Sequence, residues 1–314
     1  MDVSTRPSHI RRQNEQPQRR LLAAFLFSAI AMIALPTNHS LAALSVDELM
    51  QKGAVTGSLA PDSAHEVSIS VAKPGEEVLS LSARLTTNST NIAKDVTWSV
   101  RDSTGGMQFE ETSSEANHRL APGDYVVEAT YGAVAVRQVV TLVPGNSVSI
   151  NFILNAGGLR VLPALKGIAT SDLASQTNVY STTGITQGQL VAHSEQPGEL
   201  MKLPAGPYRV ETRFGDGNAV AVADVTINPG KLSAVEISMH AGIARLSFVG
   251  APEAAVDWTI KPEQGPAVAS FQGLEKHVAL KPGTYIAEAR VNGEVLSASF
   301  TINEGEQRNI MLGN

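Results

Sequence analysis

From residue 66 to the C-terminus, apolar and polar side chains alternate with a period of two, the spacing of a strand that buries one face. Tyr208, Val210, Thr212 and Phe214 fall on one side of such a run, while Arg209, Glu211 and Arg213 fall on the other. Tyr285, Ala287, Ala289 and Val291 oppose Glu288 and Arg290 in the same way. Val67, Ile69 and Val71 alternate ahead of a Pro-Gly turn. Short runs of this kind, separated by Pro-Gly and Asn-Gly turns, predict an all-β sandwich of roughly seven strands per unit. No long helical period competes with them.

The pattern is written three times. LAPGDYVVEA, LPAGPYRVET and LKPGTYIAEA place tyrosines at Tyr125, Tyr208 and Tyr285, at intervals of 83 and 77 residues. Such intervals exceed a solenoid repeat of about 20 to 50 residues and suit a small sandwich domain. Each copy opens with an Arg and an aliphatic residue (Arg84-Leu85, Arg160-Val161, Arg245-Leu246). An aromatic follows, Trp98, Tyr180 or Trp258, lying 27, 28 and 27 residues before the tyrosine of the phrase. Turns reading VPGN, NPGK and NEGE precede the final apolar segment of each copy. Three tandem antiparallel sandwiches are therefore expected at 79–155, 156–241 and 242–314. Proline presets φ for a corner before each tyrosine, and the glycine after it is expected to take a positive φ.

Parity sets the role of the aromatics. Val96, Trp98 and Val100 share a face, as do Val256, Trp258 and Ile260, so both tryptophans are expected in cores rather than on sugar-stacking surfaces. Trp98, Tyr125, Tyr180, Tyr208, Trp258 and Tyr285 are thus the anchors of the repeat. Each tyrosine of the phrase is expected to turn its ring inward and its hydroxyl to backbone.

The first 42 residues have another character. Arginines at 11, 12, 19 and 20 precede an apolar run from Leu21 to Leu35, and Ser40-Leu41-Ala42 offers small residues to a signal peptidase. An export signal cleaved after Ala42 is expected, since the run falls short of the roughly 20 residues of a spanning helix. The chain beyond it carries 19 Lys and Arg against 28 Asp and Glu, a net charge of about −9. That balance, without a basic run, argues against nucleic acid. Cysteine is absent, which removes disulfides, thiolate metal sites and a lipidated cysteine. Residues 43–78 are expected to form a linker with a short helix, capped by Ser45 and Glu48 and ending at Gly53, and a strand that is either the remnant of a fourth copy or, in the favoured reading, a partner for an open edge of the first sandwich.

Candidate chemistry is sparse. Glu128, Glu211 and Glu288 recur three residues after each tyrosine, but in separate units, too far apart for paired-carboxylate catalysis. A solvated face paired with Arg209, Arg213 and Arg290 is expected of them. His65, His118, His193, His240 and His277 lack zinc-ligand spacing, and no D-x-D-x-D-G calcium loop exists. Ser70-Val71-Ala72-Lys73 matches S-x-x-K without its partner motifs. No catalytic, cofactor or metal residue is assigned, and no cofactor is expected. The second copy holds 20 residues from Arg160 to Tyr180, against 14 and 13 in the others, an excess expected to form a surface loop.

The LxPGxYxVE phrase with its later PG turn resembles carboxypeptidase regulatory-like and prealbumin-like β-sandwiches. It looks most like the tandem repeats of exported rhizobial and related alphaproteobacterial proteins. The resemblance implies an immunoglobulin-like scaffold and brings no catalytic residues with it. The function expected is a non-catalytic binding or spacer module in the periplasm or at the cell surface, with an envelope protein or polysaccharide as partner. The rival is an envelope carbohydrate-binding protein or hydrolase with its site at the long loop of the second copy. A shallow surface would favour the first, and a deep polar cleft the second.

Overall fold

Alternation in sequence becomes alternation in burial. The computed structural model describes residues 65–170, 173–250 and 255–313. The predicted export signal, its cleavage position at Ala42 and the capped helix before Gly53 lie outside the described residues. The first copy holds β1 (Glu66–Val71), β2 (Val78–Arg84), β3 (Val96–Asp102), β4 (Met107–Ser113), β5 (Glu115–Arg119), β6 (Gly123–Tyr131), β7 (Val134–Leu142) and β8 (Asn146–Ile153). The second holds β9 (Ala156–Leu165), β10 (Ser175–Ser181), β11 (Leu190–Ser194), β12 (Met201–Pro204), β13 (Gly206–Phe214), β14 (Val220–Ile227) and β15 (Leu232–Met239). The third holds β16 (Gly242–Val249), β17 (Asp257–Pro262), β18 (Ala269–Gln272), β19 (Glu275–Leu280), β20 (Gly283–Val291), β21 (Glu294–Ile302) and β22 (Gln307–Gly313).

Each copy folds into two sheets. Sheet β1-β8-β2-β5 goes with β4-β3-β6-β7, β12-β9-β15 with β11-β10-β13-β14, and β19-β16-β22 with β18-β17-β20-β21. Apart from β1 the strand order is the same three times. Most pairs are antiparallel, but the first strand of each stack lies parallel to its last, as β2 with β8, β9 with β15 and β16 with β22. The chain crosses to the other sheet and back twice before it reaches that partner, and since each successive strand reverses direction the sixth strand on runs in the first strand's direction. These immunoglobulin-like sheets are therefore mixed where the sequence predicts antiparallel pairing throughout.

Each stack has its own core. In the first, Trp98 packs against Phe152 with ring centroids 5.7 Å apart, among Leu79, Leu81, Val127 and Ile150. In the third, Trp258 lies with Leu246, Val278, Leu280 and Phe300. The middle core is aliphatic around Tyr208, with Leu159, Val161, Val179, Leu203 and Ile237. Burying each such side chain contributes about 1.5–3 kcal/mol, the main favourable term in a fold without disulfides. A further apolar cluster of Leu165, Ile168, Phe214, Met239, Ile243 and Ala279 lies where the second stack meets the third.

The corner before each tyrosine works differently from the sequence expectation. Of Gly123, Gly206 and Gly283, only Gly206 has positive φ, at 151°. At Gly123 and Gly283 an added Cβ would instead meet the tyrosine ring, 3.9 Å from Tyr125 Cε2 and 3.5 Å from Tyr285 Cε2. These are ordinary contact distances, so neither a positive φ nor a clash demands glycine at these two corners.

Candidate functional site

The site is built from the turns that follow the phrase. After β6 the chain turns at Gly132 and touches the next stack, where the Ala133 N–H donates to the Lys202 carbonyl at 2.9 Å. The Lys202 ammonium sits 4.2 Å from the centre of the Tyr131 ring and 3.7 Å from Asp95. After β13 the chain repeats the move against the third stack. The Asn218 side-chain amide donates to the Tyr285 hydroxyl at 3.1 Å, and its oxygen accepts the Lys281 N–H at 3.0 Å. Gly217 abuts the Ala279 carbonyl so closely that a Cβ there would lie 1.8 Å from the oxygen. The third such turn, at Asn292 and Gly293, meets no following stack among the described residues.

Hollows open beside the apolar cluster of the second junction. One, of about 350 Å³, has Phe214, Leu173 and Ala279 as apolar lining and Glu275, Lys276 and His277 as polar lining. A smaller hollow, of about 20 Å³, shares His277 and Leu173 with it and adds Arg245 and Gln307. Arg245 and His277 are direct neighbours across β16 and β19. Lys276 is partly engaged, 3.2 Å from Asp216. A further hollow of about 380 Å³ is lined by Lys166, Glu236, His240 and Glu304, with His240 Nδ1 3.1 Å and Lys166 Nζ 3.8 Å from the Glu304 carboxylate. The junction thus offers apolar lining bordered by charge of both signs, with Arg245 and His277 on one face of their sheet and Lys276, next along β19, on the other.

The predicted anchors divide. Trp98 and Trp258 are fully buried, opposite Ala129 and Ala289 on the adjacent strands. The hydroxyls of Tyr125, Tyr208 and Tyr285 donate to the carbonyls of Ala121, Pro204 and Lys281, in each case four residues upstream. Burial pushes Tyr208 up to about 12. Tyr180 is the exception, because it sits on the other face of β10 and is half-buried. In the second stack the place opposite Thr212, which corresponds to Ala129, belongs to Thr177. Thr212 Oγ1 finds no hydrogen-bond partner among the described residues.

Two further expectations change for the same reason. Register aligns Arg160 and Arg245 with Ser80 rather than Arg84, which ends β2 and lies 3.7 Å from Glu66. The 160–180 segment is not the long loop: residues 166–174 compare with 85–95 and 250–256 in the other stacks. The excess lies at 182–189 and 195–200, against 103–106 and 114 in the first stack and 263–268 and 273–274 in the third.

The recurring glutamates pair with cations on their own sheet faces, Glu211 within its own strand. Glu128 meets Arg137, Glu211 meets Arg213 at 3.1 Å and Glu288 meets Lys261 at 2.5 Å. Arg209 turns instead to Asp224 at 3.0 Å, and Arg290 is not the partner of Glu288. His118 stacks on Phe109 at 3.7 Å, and His193 Nδ1 lies 2.7 Å from the Asn178 amide oxygen. Burial lowers His65, which lies against Phe152. Among the described residues no group of three or more His, Asp or Glu gathers at metal-binding distance, and no helix is long and apolar enough to cross a membrane.

Residues 249–313 match the Rhizobiales growth-associated tandem repeat domain. The match covers most of the third stack, from the end of β16 to β22. The first two stacks follow the same strand order, so the chain is a tandem array of β-sandwich repeats, the third of which matches this domain. Among solved structures, it is similar to the minor pilin GBS52 of Streptococcus agalactiae at 14% identity, with a TM-score of 0.29 over 52% of this chain and 95% of that one. The major pilin subunit BcpA of Bacillus cereus is similar at 10% identity, with a TM-score of 0.22 over 76% of this chain and 99% of that one. The Bacillus anthracis TIE protein is similar at 15% identity, with a TM-score of 0.22 over 76% of this chain. This chain spans 50% of that protein's length. No curated protein matches the chain in sequence.

Proposed function

We propose that this chain is an exported, non-catalytic array of three sandwich domains, at 79–155, 156–241 and 242–314, that binds an acidic envelope polysaccharide at its second junction. One observation carries the reading. Two adjoining hollows that share Leu173 and His277 hold Lys276 in one and Arg245 in the other, beside apolar lining from Leu173 and the edge of the buried Phe214. Cationic donors suit saccharide carboxylates, and an apolar floor suits the apolar faces of sugar rings. The junction is half formed by each of two domains, so the ligand would also hold them together. The export signal expected at 1–42 from its sequence supports a place in the periplasm or at the cell surface.

The test is calorimetric titration of the chain with uronic-acid oligosaccharides, beside the variants Arg245→Ala and Lys276→Ala. Binding by the parent that weakens about tenfold in each variant, a loss of about 1.4 kcal/mol, supports the reading. Binding that neither variant alters overturns the site. No binding by the parent leaves the array as a spacer, and turnover of the oligosaccharide would restore the hydrolase.

A further inference from the structure

β1 is an addition to the repeat, and it exposes what the rest of the fold protects. In the second and third stacks the last strand forms the edge of its sheet. The position matching Val148 there carries a polar group that reaches across the sandwich mouth: Ser233 Oγ donates to the Thr226 carbonyl at 3.4 Å and the Arg308 guanidinium to the Thr301 carbonyl at 2.9 Å. A charge or hydroxyl on the core side of an edge strand discourages a further strand. In the first stack the position is apolar, and β1 lies beside β8 over six regular residue pairs, Glu66–Asn151 to Val71–Asn146.

The strand so added becomes the new edge, without a guard of its own. From Val67 to Val71 it has no charge, no proline, no glycine and no register shift. Its Val67, Ile69 and Val71 share the face of Val148 and Ile150 yet overhang the opposing sheet, and remain 52%, 68% and 91% exposed. Backbone parity points the same way. The Ala72 N–H donates to the Gly145 carbonyl at 2.8 Å, so even-numbered residues bond towards β8, and the N–H and C=O groups of Val67, Ile69 and Val71 point outward.

The segment reads V-S-I-S-V, the same in both directions. We propose that two copies of this chain associate edge to edge through β1, antiparallel about a two-fold axis at Ile69. In that register Val67 lies opposite Val71 of the second copy and Ile69 opposite its own twin. Every outward N–H and C=O of the three residues then finds a partner, and the two rows of Val and Ile merge into one apolar strip. The contact is isologous, so it closes at two copies and does not propagate. Edge pairing of this length falls below the roughly 1,200–2,000 Å² of a standard interface, so the dimer is reversible and concentration-dependent.

Sedimentation equilibrium of the isolated chain over a range of concentrations reads this directly, with a shift from monomer to twice the monomer mass expected. Ile69→Pro removes the outward N–H at the axis and leaves the β8 bonds in place, and loss of the dimer with unchanged circular dichroism is expected. Should that variant disturb β1, Ile69→Lys keeps the backbone and sets two like charges opposite each other at the axis, with the same loss expected. Ile69→Cys supplies the only cysteine in the chain, so a covalent dimer under mild oxidation supports the register. A monomer at every concentration, or a dimer that survives Ile69→Lys, overturns the proposal.

Discussion

Two tryptophans in matching places do different work. Trp258 Nε1 donates to the Gly273 carbonyl at 3.0 Å, whereas Trp98 Nε1 is buried with no partner among the described residues. Replacing either by Ala removes the largest side chain of its core and is expected to cost about 3–5 kcal/mol in urea unfolding. Replacement by Phe separates the pair. Trp258→Phe leaves a carbonyl without its donor, while Trp98→Phe removes a donor that bonds nothing, so the first is expected to cost about 1 kcal/mol more than the second. The middle stack carries the opposite case. Thr212, fully buried and opposite Thr177, hides a hydroxyl that finds no partner, and Thr212→Val keeps its shape without the polar atom. A gain of about 1 kcal/mol is expected in the same measurement.

At the scale of the strand and turn, the loop from β1 to β2 is clamped by Glu77. Its carboxylate accepts the Gly145 N–H at 2.8 Å and the Gly75 N–H at 2.7 Å, tying the turn after β1 to the turn before β8. The Gly145 N–H is the first of the donors that hold this carboxyl below its ordinary range. A carboxyl lowered in the folded state stabilises fully above its unfolded value and loses that contribution as pH falls through the folded one. Glu77→Gln is therefore expected to lower the melting temperature at neutral pH, with the difference from the parent shrinking in acid. A difference independent of pH would show that the charge is not what clamps the turn. The strands themselves were legible from period two, and the placing of Trp98 and Trp258 from the parity of their neighbours. Tyr180 was misplaced because counting back from Tyr208 assumes equal loops, and the second stack spends its extra residues after β10. Arg84 matched Arg160 and Arg245 by letter but not by register. The parallel partner of each first strand lies a whole repeat away, where periodicity along the chain carries no information. The junction hollows were missed because Phe214, Arg245 and His277 come from three strands of two stacks. The recurring turn glycines were their only trace in sequence.

Across the molecule, the turn after each of the first two tyrosine strands reaches the next stack. Gly217 sits with its α-carbon against the Ala279 carbonyl, and the atom a Cβ would strike belongs to the backbone of β19, which cannot rotate away. Gly217→Ala therefore forces the 215–219 turn off the third stack. With it go the bonds of Asn218 to Tyr285 and Lys281, and the cover over Phe214 and Ala279. The individual cores, centred on Tyr208 and Trp258, are untouched by that movement. The parent is expected to unfold its second and third stacks together in a calorimetric scan, and Gly217→Ala to split this transition in two. Asn218→Ala, which removes the bonds and keeps the close approach, is expected to broaden the transition without splitting it. Gly132→Ala tests the first junction by the same logic, since a Cβ there would lie 2.7 Å from the Lys202 carbonyl oxygen, on a residue whose φ of +62° already resists a side chain. If Gly217→Ala left one transition at the parent temperature, the stacks would be coupled by the chain passing between them and not by the turn.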